Sequence, residues 1–153
     1  MIGISMKRLC VSGLFGLIVM SSSSVFAADT VLHLDAKQAV DAGLANGSLD
    51  GSVKFYFAGQ STPKVLKSME EDFTNKKSNA FGKSHEEACK WVMLSALITL
   101  QQSAKARGAN AVIGISSYYK KVEYKSASQY ECHAGNIISG VALKGRYAKL
   151  AVK

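Results

Sequence analysis

Ser84-His85-Glu86-Glu87-Ala88-Cys89-Lys90-Trp91-Val92-Met93-Leu94, continuing through Ser95 to Arg107 and closing on Gly108-Ala109-Asn110, reads as one long helix with both ends marked. Ser84 is placed to cap it, and Glu87, three residues on, completes a capping box. Glu86 and Glu87 lie at the positive end of the helix dipole. Lys105 and Arg107 fall in the last turn, and Gly108 supplies the C-terminal stop. Ala88, Trp91, Val92, Ser95, Leu97, Ile98 and Leu100 carry the apolar content. About 24 helical residues span roughly 36 Å, and a helix this long with so apolar a middle needs a sheet to lie on.

Downstream, Asn110 to Tyr119 predicts a strand with Ala111, Ile113 and Ile115 on one side and Val112 on the other. Lys120 to Ser128 is a polar hairpin end. Gln129 to His133 and Ile137 to Lys149 are the last strands, where Gly135, Gly140 and Gly145 mark bulges or sharp coiling. Upstream, Ala28 onward reads as a short lead-in to a small helix that Asp35 can cap, with Ala36, Ala39, Val40, Gly43 and Leu44 as a weak apolar face. Asn46-Gly47 and Asp50-Gly51 are turns. Ser52 to Ala58 alternates as a half-buried strand, with Val53, Phe55 and Phe57 facing the core. Lys64 to Met69 is a second short strand. Glu70 to Lys83 is charged and aperiodic, and is expected as an exposed loop or ragged hairpin pinned by Phe73 and Phe81. The order predicts a single α+β domain over residues 28–153 with its core in 52–153: one long helix packed on an antiparallel β-sheet. Gln102 to Asn110 is too short for a βαβ repeat, which excludes a doubly wound fold.

Residues 1–27 follow the pattern of a secretory signal peptide. Lys7 and Arg8 form the positive region, Leu9 to Met20 the uncharged apolar run, and Val25-Phe26-Ala27 the small-x-small cleavage site. Met6 serves as a start as well as Met1. The run is shorter than the roughly 20 residues of a spanning helix, so no integral membrane span is expected in the mature chain, which belongs in the periplasm or outside the cell. Cys10 stands at the wrong end of the run for lipidation. The chain carries a net charge of +8, two units of which leave with Lys7 and Arg8. The remaining basic excess is scattered, with Lys76-Lys77 and Lys120-Lys121 its only doublets, so nucleic acid is not an expected partner. Cys89 and Cys132 remain in the mature chain. In an oxidising compartment an isolated pair forms a disulfide; the other reading, two thiols serving a metal, needs further ligands at regular spacing.

Ala104 and Gly108-Ala109-Asn110-Ala111-Val112, closing the helix and opening a strand, resemble the same element in the heavy-metal-binding family typified by YbjQ and in RcsF, the outer-membrane sensor lipoprotein family of the Rcs envelope stress system. Tyr130-Glu131-Cys132-His133-Ala134-Gly135, followed by Gly140-Val141-Ala142-Leu143-Lys144-Gly145, is similar to small exported bacterial proteins often labelled "excinuclease ATPase subunit". The resemblance implies one long helix on an antiparallel sheet and implies no chemistry. In the stress-sensor family a single bridge joins a helix-start cysteine to a strand cysteine, which favours pairing Cys89 with Cys132. The chain departs from that family in lacking a lipidation site.

No motif here carries catalysis, and no cofactor is expected. Gly82-Lys83-Ser84 before a helix imitates the end of a phosphate loop, but Lys77 stands where the first Walker glycine is required, and the capping role of Ser84 accounts for the same residues. Glu131 and His133 alternate with Cys132 and share one strand face. With His85, which a Cys89–Cys132 bridge would bring near, they are the candidate metal ligands, although zinc wants three or four. Tyr118, Tyr119, Tyr124 and Tyr130 gather around the hairpin beside Lys120, Lys121 and Lys125, a pattern explained by strand propensity as well as by a contact surface. The reading is a non-enzymatic envelope protein that binds a ligand or an envelope protein partner through its sheet edge or tyrosine-rich hairpin. The alternative is a periplasmic metal-binding protein.

Overall fold

The computed structural model describes residues 29–152; the expected signal peptide, with Cys10, lies outside the described residues. The chain forms β1 (Thr30–Asp35), α1 (Ala36–Ala45), β2 (Lys54–Phe57), β3 (Val65–Asn79), α2 (His85–Ala106), β4 (Ala111–Tyr119), β5 (Val122–Tyr124), β6 (Gln129–Ala134) and β7 (Ile138–Leu150). This is a single mixed domain in which one curled, seven-stranded sheet runs β1-β6-β7-β4-β2, with β3 added on β7 and β5 on β4. Among the described residues no helix is long and apolar enough to cross a membrane.

The long helix forms between the expected signals. Ser84 caps α2 by accepting from the Glu87 N–H at 3.1 Å, and Gly108 takes the positive φ (70°) that ends it. Its buried residues fall in two adjacent rows of four-residue spacing, Ala88-Val92-Ala96-Leu100-Ala104 and Cys89-Met93-Leu97-Gln101. Three alanines in the first row let the backbone lie close on the sheet. Trp91 lies off both rows and is 58% exposed, contrary to its expected place in the apolar content.

The expectation of one helix on an antiparallel sheet needs three corrections. First, the presumed lead-in contains β1, an edge strand paired antiparallel with β6. It runs straight into α1, so the core reaches back beyond residue 52 to include Ala36 and Leu49. Six residues with only Leu32 and Leu34 half-buried give too short an alternation to stand out. Second, the sheet is mixed: β2 pairs parallel with β4. The connection between them runs through β3 and α2, far longer than the dozen residues a parallel crossover needs. Third, Glu70 to Asn79 is not a loop. It continues a 15-residue strand that pairs with β7 from Val65↔Leu150 to Asn79↔Ile138.

The period-2 signal of β3 was hidden because its inward positions are polar: Asp72, Thr74, Lys76 and Ser78. Some of that polarity is matched by the neighbouring strand and the end of α2. The Tyr147 hydroxyl donates to Asp72 Oδ2 at 2.8 Å, and Arg107 pairs with Glu70 while its guanidinium lies 4.7 Å from the Tyr147 ring centroid.

The alternation expected for β4 breaks at Gly114, whose φ is +61°. The pairing with β7 shifts register between Ile113 and Ser116. Val112 and Ile115 therefore both enter the main core, while Ala111 packs with Ala148 and Leu150 in a second cluster that Ile113 and Tyr56 cover. Gly145 stands opposite that irregularity and also marks a close approach: a Cβ there would stand 2.7 Å from Val112 Cγ1. Cys89 and Cys132, both fully buried, form the disulfide, with Cα atoms 5.9 Å apart. It pins the first turns of α2 to β6.

Candidate functional site

Three elements meet where that disulfide holds them. β1 and β6 pair Leu34 with Tyr130 and Asp35 with Gln129, and the chain turns at Asp35 directly into α1. The Asp35 carboxylate accepts from the Gln38 N–H at 2.7 Å. α2 begins on the other side of Tyr130, because Cys89 is bonded to the strand neighbour region at Cys132. Gly43 allows α1 to close on α2, since a Cβ there would stand 2.9 Å from Leu94 Cδ1. The two helix N-termini thus border an open groove of about 640 Å³, with Tyr130, Leu34 and Leu94 among its apolar lining and Trp91 at its exposed side. The volume falls within the usual range of small-molecule sites, roughly 300–1,000 Å³.

One group in this groove is out of balance. Tyr130 is only 1% exposed, and its hydroxyl has no hydrogen-bond partner among the described residues. A buried polar atom left so costs about 1–3 kcal/mol, which a polar group reaching it from the groove that Tyr130 lines would offset. Burial, followed by the charges of Glu86 and Asp35, pushes the phenol well above its ordinary range. Those two carboxylates also line the groove. Glu86 pairs with Lys90 at 2.7 Å across one helical turn.

The expected ligand candidates are arranged differently. Glu131 and His133 do share a face: His133 Nε2 lies 2.6 Å from Glu131 Oε1. The third member is His33, not His85. His33 is the cross-strand partner of Glu131, and its Nε2 stands 3.6 Å from Glu131 Oε2. His85 starts α2, on the side of β6 to which Cys132 points, and strand alternation sends Glu131 and His133 to the opposite side. The disulfide therefore brings His85 to the wrong face of the strand. Among the described residues no group of three or more His, Cys, Asp or Glu is arranged to hold a metal ion.

The hairpin tyrosines are engaged within the fold. Tyr119 stacks on His133 with ring centroids 3.5 Å apart, Tyr124 lies 4.5 Å from the His33 ring, and Tyr118 packs against Phe73 at 5.2 Å. Gly82-Lys83-Ser84 forms the helix entry: Ser84 caps α2, and the Lys83 N–H bonds to the Ala80 carbonyl at 3.1 Å. Sequence reasoning placed Tyr130 in the hairpin cluster and Asp35 only as a cap. Their convergence depends on the β1–β6 pairing, for which the sequence carried no signal beyond the short Leu32–Leu34 alternation.

Comparison with known proteins adds nothing to this geometry: no family model, no curated protein and no solved structure matches the chain.

Proposed function

We propose that the mature chain is an exported, non-enzymatic envelope module that binds a small ligand in the groove between the N-termini of α1 and α2. The carrying observation is the Tyr130 hydroxyl, buried without a partner among the described residues, on a side chain that lines a groove large enough for a small molecule. The rest of the cleft supports binding rather than turnover: Asp35 is committed to capping α1, Ser84 to capping α2, and among the described residues neither is hydrogen-bonded to a base. Export is supported by the signal-peptide pattern of residues 1–27 and by a disulfide that an oxidising compartment preserves. The test is a fragment screen by NMR on isotope-labelled mature protein. Shifts gathered on Ala39, Ala42, Tyr130 and the Trp91 indole are the expected result. Hits that map to the β4–β5 hairpin, or to no common surface, would overturn the assignment of the groove.

A further inference from the structure

Resting on that assignment, we infer that the groove selects a cationic ligand: an organic amine carrying an apolar body. The charge around the cleft carries the argument. Asp35, Glu86 and Glu87 contribute three carboxylates and Lys90 one ammonium. The two helix N-termini offset this by about half a positive charge each. A net of about one negative charge remains, in a chain whose overall charge is +8. The feature that would draw an anion, free N–H groups at a helix start, is in part taken up. Asp35 accepts from the Gln38 N–H, Ser84 accepts from the Glu87 N–H, and Glu86 and Glu87 occupy the first turn of α2.

The neutral elements fit the same ligand. The Tyr130 hydroxyl, with no partner among the described residues, accepts from an ammonium between the carboxylates that already act on it. The Trp91 indole, 58% exposed, offers an aromatic surface of the kind that attracts cations. Leu34 and Leu94 receive the apolar body. Lys90 is held by Glu86 at 2.7 Å, which leaves Asp35 and Glu87 as the carboxylates without a lysine partner in the groove.

Three probes of one shape test this: 4-phenylbutylamine, 4-phenylbutanol and 4-phenylbutyrate. Each is titrated into the mature protein and followed by the fluorescence of Trp91, the only tryptophan in the chain. The amine is expected to bind saturably and about tenfold more tightly than the carboxylate, with the alcohol between them. Glu87→Gln should shrink the preference for the amine while leaving the alcohol unchanged. Tyr130→Phe should weaken the amine by about tenfold, the scale of a lost hydrogen bond to a charged group. Because the hydroxyl has no partner to lose among the described residues, this variant should melt no lower than the wild type, and higher if the unpaired oxygen carries its full cost. Equal binding of all three probes, or tighter binding of the carboxylate, would overturn the cationic preference and leave the groove assignment standing. Absence of binding by all three would overturn both. Amine binding indifferent to Tyr130→Phe and Glu87→Gln would place it elsewhere on the surface and overturn the inference.

Discussion

Replacing both bridge cysteines, Cys89→Ala with Cys132→Ala, cuts the covalent link between the start of α2 and β6. The bridge closes a loop of 43 residues, and constraining the unfolded chain over that length stabilises by about 4 kcal/mol. The described domain runs from residue 29 to 152. At about 2.1 cal/mol/K of unfolding entropy per residue, its total is about 0.26 kcal/mol/K. The melting temperature should therefore fall by about 15 °C. Both residues are fully buried, so the alanine pair also removes two sulfurs from the core. The reduced wild type keeps those sulfurs, and melting it in parallel separates the lost cross-link from the lost packing. Circular dichroism melts of the oxidised, reduced and alanine forms supply the three numbers. A fall of less than about 5 °C in both altered forms would refute the chain-entropy reasoning. Both thiols reacting in the denatured, unreduced protein would refute the bridge itself.

The helix entry separates capping from phosphate binding: Ser84→Ala should cost about 1 kcal/mol in denaturant unfolding, whereas Lys83→Ala should stay within about 0.5 kcal/mol. ATP binding that vanishes with Lys83→Ala would contradict this. Gly145→Ala would drive a Cβ to 2.7 Å from Val112 Cγ1 and 3.3 Å from Ile115 Cγ1, both in a closed core, and should destabilise by about 1–3 kcal/mol. Gly140→Ala meets nothing nearer than 3.7 Å and should be tolerated, so equal effects at the two glycines would refute the close approach of β7 to β4. Stability should also decline in alkali. Burial foremost pushes the Tyr147 phenol up to about 12, so the folded state holds a proton that the unfolded state releases near 10. This contribution is complete below about 10 and is lost as pH rises through the folded value. Denaturant midpoints at neutral and alkaline pH would show the decline, which Tyr147→Phe should blunt. A midpoint that rises with alkali would refute it.

Much of the fold was legible because its signals are local. Ser84 and Gly108 mark the ends of α2 through side-chain capping and backbone freedom, which depend on a few neighbouring residues. β6 alternates clearly because its inward residues, Tyr130, Cys132 and Ala134, are apolar and fully buried. The start of β3 was legible as the short strand expected over Lys64 to Met69, but its continuation was not, because Asp72, Thr74, Lys76 and Ser78 point inward. Asp72 is satisfied there by Tyr147, a partner 75 positions away. The break in β4 was missed because a single glycine, Gly114, inserts the extra residue that turns Ile115 to the other face.

The site divides along the same line. Two cysteines in a chain expected to be exported, together with the family resemblance, were enough to mark Cys89 and Cys132 as a bridge, and strand alternation put Glu131 and His133 on one face opposite Cys132. Neither property requires knowing what lies beside the strand. Tertiary structure alone decided that His33, rather than His85, completes the cluster with Glu131, because register between β1 and β6 selects the neighbour. It alone decided that Tyr130 lies between two helix starts with its hydroxyl unpaired. Cross-strand register and helix placement are set by burial summed over many distant residues, and no local pattern in the chain encodes that sum.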